Sequence, residues 1–187
     1  MNQYVVEVRK LIPTSICQRI IRVFDNNYFD AQVTNADKSS TNKSIRNCQT
    51  RHIHGRNHTF GELILYNYLN RKLFEVIEAY NRKHEDFHVS KVSQLDLLKY
   101  EANEHPAGYK WHTDFGTSST QRALSISIAL NNEYEGGEFN IKLNGSENNL
   151  FEPNVGDALA FPSSFMFPHQ VNKVTKGTRY ALIAWVY

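Results

Sequence analysis

Gly108-Tyr109-Lys110-Trp111-His112-Thr113-Asp114 is the stretch on which the reading of this chain turns. Its aromatic residues suit a strand, and successive side chains of a strand face opposite ways. His112 and Asp114 stand two apart and so share a face. A neutral imidazole beside a carboxylate is half of a metal site. The best third donor elsewhere in the chain is His169, in Phe167-Pro168-His169-Gln170-Val171. Two imidazoles and one carboxylate on one side of an ion leave its opposite side open.

Alone, His-x-Asp is a weak signal, because a surface histidine near a turn aspartate has the same spelling. Its company strengthens it. Ten residues after His169 comes Arg179, in Lys176-Gly177-Thr178-Arg179-Tyr180-Ala181-Leu182-Ile183-Ala184-Trp185, which reads as a turn feeding a final strand. A buried arginine there can fork onto a carboxylate of a small diacid. Strand alternation puts Ala181, Ile183 and Trp185 on the face of Arg179.

With these residues in place, the tail from about Leu95 to Tyr187 resembles the Fe(II)/2-oxoglutarate-dependent dioxygenases, in their prolyl-4-hydroxylase-like branch. The resemblance is carried by Tyr100, Tyr109, His112-x-Asp114, the Arg122-to-Asn131 strand, Tyr134-Glu135-Gly136-Gly137-Glu138, Gly156-Asp157, Phe161-Pro162-Ser163, His169 and Arg179-Tyr180. It covers about half of the chain; the first half carries no comparable motif. It implies that His112, Asp114 and His169 hold Fe(II), with 2-oxoglutarate and O2 taking the open positions. Succinate and CO2 are then released as a substrate C–H is hydroxylated. Arg179 would bind the 5-carboxylate of 2-oxoglutarate, and Tyr100, Tyr109 and Trp185 would line the cosubstrate pocket. Ascorbate is a further candidate cofactor. Some relatives place a tyrosine on the strand after the metal motif, where this chain reads Ser127-Ile128-Ala129, so Ser127 is the substitute contact. Asp114 supplies the carboxylate that the halogenases of the family lack, which implies hydroxylation and not chlorination.

At 187 residues the chain suits one domain, 1–187, with a sizeable core. It is 41% hydrophobic and 21% charged, and its 21 Lys+Arg against 19 Asp+Glu imply neither a nucleic-acid nor a membrane partner. No apolar run reaches spanning length, and the N-terminus lacks the layout of a signal peptide. Cys17 and Cys48 are too few for a disulfide framework and read as reduced thiols of a cytoplasmic protein.

In chain order, Tyr4 to Val8 reads as a strand. Ser15-x-x-Gln18 reads as a capping box opening a helix with Ile16, Ile20 and Phe24 on one stripe, ending at Asn26-Asn27. Residues 37–58 carry Lys38, Lys43, Arg46, Arg51 and Arg56 against the single acid Asp37, with His52, His54 and His58. A solvated loop with one strand near Ile45 to Ile53 explains this run; a lid beside the active site is the functional alternative, and His52-x-His54 lacks the carboxylate or cysteine that a metal site needs. Thr59-x-x-Glu62 is a second capping box. The stripe Leu65, Leu69, Leu73, Val76, Ile77 and Tyr80 predicts a long helix ending near Lys83, packed on the outer face of a sheet.

From Val89 onward strands prevail. Leu124, Ile126, Ile128 and Leu130 alternate with Ser125, Ser127 and Ala129, which suits a wall with a cavity inside it. Gly136-Gly137 reads as a turn and Asn144-Gly145 as a hairpin. Helices first and strands afterwards argue α+β. The resemblance sharpens this to a double-stranded β-helix, a cupin-like jelly roll over about 89–187, buttressed on one sheet by an N-terminal helical part over about 1–88. The favoured activity is an Fe(II)/2-oxoglutarate hydroxylase acting on a prolyl or other peptidyl residue. A non-catalytic jelly-roll binding module, and an oxygenase of nucleic-acid bases, are the alternatives.

Overall fold

The last strand holds the fold together. In the computed structural model, which describes residues 3–35, 38–54, 59–104, 106–115, 121–143 and 146–187, the elements run β1 (Val6–Val8), α1 (Thr14–Phe24), β2 (Phe29–Asp30), β3 (Val33–Asn35), β4 (Lys38–Ser40), β5 (Arg46–Asn47), β6 (Gln49–His52), α2 (Phe60–Lys83), β7 (Val92–Glu101), β8 (Ala107–His112), β9 (Leu124–Ala129), β10 (Tyr134–Gly136), β11 (Phe139–Leu143), β12 (Ser146–Phe151), β13 (Ala158–Pro162) and β14 (His169–Val186). The C-terminal half of β14 pairs antiparallel with β7 and β9, in the sheet ordered β1-β13-β9-β14-β7-β6-β2. Its N-terminal half pairs with β8, β10 and β11, in the facing sheet completed by β5 and β12. Two facing antiparallel sheets sharing one long strand form a double-stranded β-helix.

The larger sheet is sorted by residue parity. Leu95 and Leu97 of β7, Leu124, Ile126 and Ile128 of β9, and Leu182, Ala184 and Val186 of β14 pack outward against Ile20 and Phe24 of α1 and the whole apolar stripe of α2. Each fully buried aliphatic side chain there contributes roughly 1.5–3 kcal/mol of transfer free energy. The opposite parity of the same strands faces the other sheet, where Leu98, Tyr100, Ile183 and Trp185, with Phe161 of β13, meet Phe139, Ile141 and Val171. The predicted buttress of one sheet by helices is therefore present, with α2 capped as expected: Thr59 accepts from the Glu62 N–H while the Glu62 carboxylate accepts from the Thr59 N–H.

Three expectations need correction. The first helix starts two residues earlier than a Ser15 cap requires: Pro13 is its N-cap, in an extended conformation, and makes no side-chain cap bond because proline carries no side-chain acceptor. Lys176-Gly177 does not end a strand. Gly177, at φ +76°, absorbs a bend while β14 continues through it, and a Cβ there would lie 2.7 Å from the Glu133 carbonyl. Residues 38–54 are more than a solvated loop with one strand: β5 pairs with β8, and β6 pairs with β7. Within that segment Arg51 is buried, ion-paired to Glu62, and donates to the Phe24 carbonyl at 2.9 Å, so it ties α2 to the end of α1. Asn144-Gly145, Asp37, Arg56 and His58 lie outside the described residues, although β11 and β12 on either side of the hairpin do pair antiparallel.

Candidate active site

The candidate metal triad, His112, Asp114 and His169, is built from the facing sheet. Strand β8 ends at His112, so Asp114 sits just past it, and β14 begins at His169, directly across the ladder from His112. One ligand atom from each of His112, Asp114 and His169 lies within 4.8 Å of the others. His112 Nε2 is 3.9 Å from Asp114 Oδ1 and His169 Nε2 is 3.5 Å from Asp114 Oδ2. Both imidazoles donate from Nδ1 to a backbone carbonyl, His112 to Lys110 at 2.8 Å and His169 to Phe167 at 3.1 Å. A carbonyl only accepts, so the proton is on Nδ1 and the Nε2 lone pair is left for an ion. Asp114 is held from behind by the Ser125 hydroxyl at 2.7 Å, which is itself 2.8 Å from the Ser163 hydroxyl.

The electrostatics suit ligation. Burial first, and then the neighbouring His169, push His112 down to about 3, so its imidazole is neutral at ordinary pH. Burial works to raise Asp114, but His169, His112 and the Ser125 hydrogen bond outweigh it and bring the carboxyl to about 2. Tyr109 stacks on His112 with ring centroids 3.3 Å apart, which fixes the imidazole plane.

The triad opens into a cavity of about 560 Å³ between the sheets. Arg179 lies in its wall, only 4% exposed, opposite Tyr100 in register and with its guanidinium carbon 5.5 Å from that ring. Among the described residues no carboxylate comes within ion-pair distance of Arg179, and its Nε has no hydrogen-bond partner. Gly137, at φ +70°, makes room for it: a Cβ there would stand 3.0 Å from Arg179 Cδ. A buried arginine with idle donors, in a cavity, is prepared for an anion.

All eight residues singled out in the sequence, His112, Asp114, His169, Arg179, Tyr100, Tyr109, Ser127 and Trp185, line this one cavity. Sequence reasoning missed the opposite end of its wall. There Asp96, 2% exposed, accepts from Gln94 at 2.8 Å and is 2.6 Å from His52 Nδ1. The hydrogen bond to Asp96 raises the pKa of His52. No spacing betrays this pair, since its members are brought together only by the β6–β7 register. It also disposes of His52 as half of a His-x-His metal pair: among the described residues, His112, Asp114 and His169 are the one group able to hold an ion. Ser39, Arg46 and Thr50 line the cavity as well, which puts part of the 37–58 segment at the site.

Residues 95–187 match the family described as the 2OG-Fe(II) oxygenase superfamily. The chain belongs to these oxygenases. A PKHD-type hydroxylase of Picosynechococcus sp. is 41% identical over 81 residues, 42% of this chain and 36% of that protein. One from Prochlorococcus marinus is 31% identical over 124 residues, 63% of this chain and 54% of that protein. The oxygenase thus spans between about a third and about a half of the length of such curated relatives. Among solved structures, a Trichoplax adhaerens prolyl hydroxylase in complex with a hypoxia inducible factor peptide fragment superposes with a TM-score of 0.80 at 19% identity, covering 100% of this chain and 84% of that one. A Pseudomonas putida prolyl-4-hydroxylase gives 0.68 at 18% identity, covering 99% and 92%. These likenesses bear out the double-stranded β-helix. Membership of the family implies Fe(II), 2-oxoglutarate and O2. Among the described residues no helix is long and apolar enough to cross a membrane.

Proposed function

We propose that this chain is an Fe(II)/2-oxoglutarate-dependent hydroxylase in which His112 and His169 ligate through Nε2 and Asp114 through its carboxylate. The observation that carries it is the pairing of that triad with the unpartnered guanidinium of Arg179 in one cavity. When bound, the iron would activate O2, which oxidises 2-oxoglutarate to succinate and CO2 with one oxygen atom and a substrate C–H to an alcohol with the other. The chain's own part is placement. Arg179 forks onto the 5-carboxylate of the cosubstrate with Tyr100 beside it, and Tyr109, Ser127 and Trp185 shape the rest of the pocket. Ser125 and Ser163 hold Asp114 in its ligating orientation. Asp114 fills the carboxylate position, so the product is an alcohol and not a chloride.

A peptidyl substrate, prolyl above all, is the reading favoured by the structural neighbours, one of them a prolyl hydroxylase in complex with a peptide fragment, with ascorbate as an accessory reductant. Residues 1–187 act as one domain on this reading, a view supported by the pairing of β6 with β7 and of β5 with β8. The separate buried free thiols of Cys17 and Cys48 suit a reducing compartment such as the cytoplasm, which cell fractionation tests. The central experiment is succinate release from 2-oxoglutarate with Fe(II), with and without ascorbate, across a peptide panel. Turnover is expected in the native protein and should vanish in His112→Ala, Asp114→Ala and His169→Ala together with tight metal binding. Normal metal affinity in all three variants would sink the assignment.

A further inference from the structure

The cavity has a second cationic end. On the inner face of the larger sheet, His52 pairs with Asp96, Asp96 with Ile183, and Ile183 with Ser127; in the neighbouring row Gln94 pairs with Trp185 and Trp185 with Ser125. Ile183 follows Arg179 by four residues along β14, roughly 13 Å at the rise of a strand. These rows are therefore remote from the arginine assigned to the cosubstrate. They are close to the metal triad, because Ser125 hydrogen-bonds Asp114.

Two groups at this end have unused capacity for an anion. Arg122 sits over Trp185, with its guanidinium carbon 3.8 Å from the ring centroid, and is half-buried in the cavity wall. Stacking uses the face of a guanidinium and leaves its edge of N–H donors free. Among the described residues Arg122 makes no ion pair within 4.0 Å. Burial lowers its pKa, as for a charge not yet compensated, while Asp114 and Asp96 are the carboxylates that act on it. Both are engaged elsewhere: Asp114 with the triad and Ser125, Asp96 with His52 and Gln94. The second group is His52, half-exposed, oriented through Nδ1 by the buried Asp96 and packed against Phe29 at 4.8 Å. In all, Arg46, Arg122, Arg179 and His52 line the cavity against Asp96 and Asp114.

We propose that Arg122 and His52, braced by Trp185 and Asp96, form an anion-binding subsite that takes a carboxylate of the substrate beside the C–H to be oxidised. This deepens the hydroxylase reading and rests on it. The planar fork of Arg122 matches a carboxylate edge-on, and His52 supplies a second donor from β6, held by Asp96 of the intervening β7. The subsite selects substrates bearing a carboxylate, either an acidic side chain or a chain end, over their neutral amides.

Calorimetry on the protein loaded with Mn(II) and 2-oxoglutarate, without oxygen, tests this. Cosubstrate binding is measured first; its absence would sink the hydroxylase reading, whereas the steps that follow judge the subsite alone. The probes are Ac-Pro-Glu-NH2, which carries a side-chain carboxylate, Ac-Pro-Gln-OH, which carries a terminal one, and the neutral Ac-Pro-Gln-NH2. At least one carboxylate probe is expected to bind about tenfold or more tighter than the neutral one, as charge-assisted hydrogen bonds allow. Which of the two does so identifies the source of the carboxylate. Arg122→Gln should collapse the ratio to about one, Arg122→Glu should turn the preference toward Ac-Pro-Lys-NH2, and His52→Gln should reduce the ratio less. Because each variant is judged by a ratio of probes, a general loss of affinity does not imitate the result. A native ratio near one, a ratio that survives Arg122→Gln, or failure of every carboxylate probe to bind overturns the subsite.

Discussion

The two faces of the larger sheet are made by the same three strands and have opposite characters. Outward, β7, β9 and β14 present Leu97, Ile126 and Leu182, fully buried against the helices. Inward, at positions of opposite parity, they present Asp96, Ser125 and Arg179, which are just as buried but polar. Burial alone therefore does not sort structural from functional residues in this molecule. The sorting is by what the buried group touches: the outer residues meet only other hydrocarbons, whereas the inner ones carry donors and charges that the protein itself leaves partly unanswered, as at Arg179 Nε. Strand parity makes this economical, because one ladder of backbone hydrogen bonds supports both faces.

That contrast can be broken most sharply at Arg179. Arg179→Met should abolish tight 2-oxoglutarate binding, a loss on the order of 3–5 kcal/mol once the charged partner must be buried unpaired. In the free protein the same change should leave stability unchanged or improve it, since an uncompensated buried charge is removed. Thermal unfolding with and without 2-oxoglutarate and Mn(II) reads both effects; a destabilised free protein would mean that Arg179 has a structural partner. Three residues on, on the opposite face, Leu182→Ala should do the reverse. It should cost about 2–5 kcal/mol of stability by opening a cavity under α2, with cosubstrate affinity of the folded fraction retained. Equal losses of affinity in both variants would dissolve the distinction between the faces.

A smaller effect concerns the tie between the helices. The hydrogen bond from the Thr59 N–H leads, and the Arg51 contact adds to it, in bringing Glu62 from an ordinary value of 4.5 down to about 2. A depressed carboxyl contributes stability that is fully present above its unfolded pKa and is lost as pH falls through its folded one. The native protein should therefore lose stability over the window from about 4.5 to about 2, and Glu62→Gln should lose less over the same window. Denaturant midpoints measured along that window check it, and parallel curves for the two proteins would remove Glu62 from the account.

Much of this was legible in the sequence, for reasons that are local. His112 and Asp114 announce themselves by parity, the Leu65-to-Tyr80 stripe by helical period, Thr59 and Glu62 by a capping box, and the serines of β9 by alternation with leucine and isoleucine. What escaped reading depends on pairing across distance. Arg51 looks like one more solvated cation until α2 delivers Glu62 to it. His52 and Asp96 stand 44 residues apart and meet through the register of two strands. Gly177 signals a turn in any window of sequence, yet the flanking residues find partners in both sheets and the strand carries on through it. Ser15 has the spelling of a cap, but Pro13 had already settled where the helix begins.

The packing of Trp185 has an optical consequence. The chain holds two tryptophans, and they sit in unlike surroundings. Trp111 lies under the ammonium of Lys142, 4.7 Å from its ring. Trp185 is 6% exposed, lines the cavity and is roofed by Arg122. An indole in that position is a chromophore inside the reaction vessel. A paramagnetic ion at the neighbouring triad should quench its emission, and an occupant drawing Arg122 off the ring should shift its colour, while Trp111 supplies a steadier background. Titrations followed by fluorescence would read filling of the cavity directly, and Trp185→Phe should silence the response.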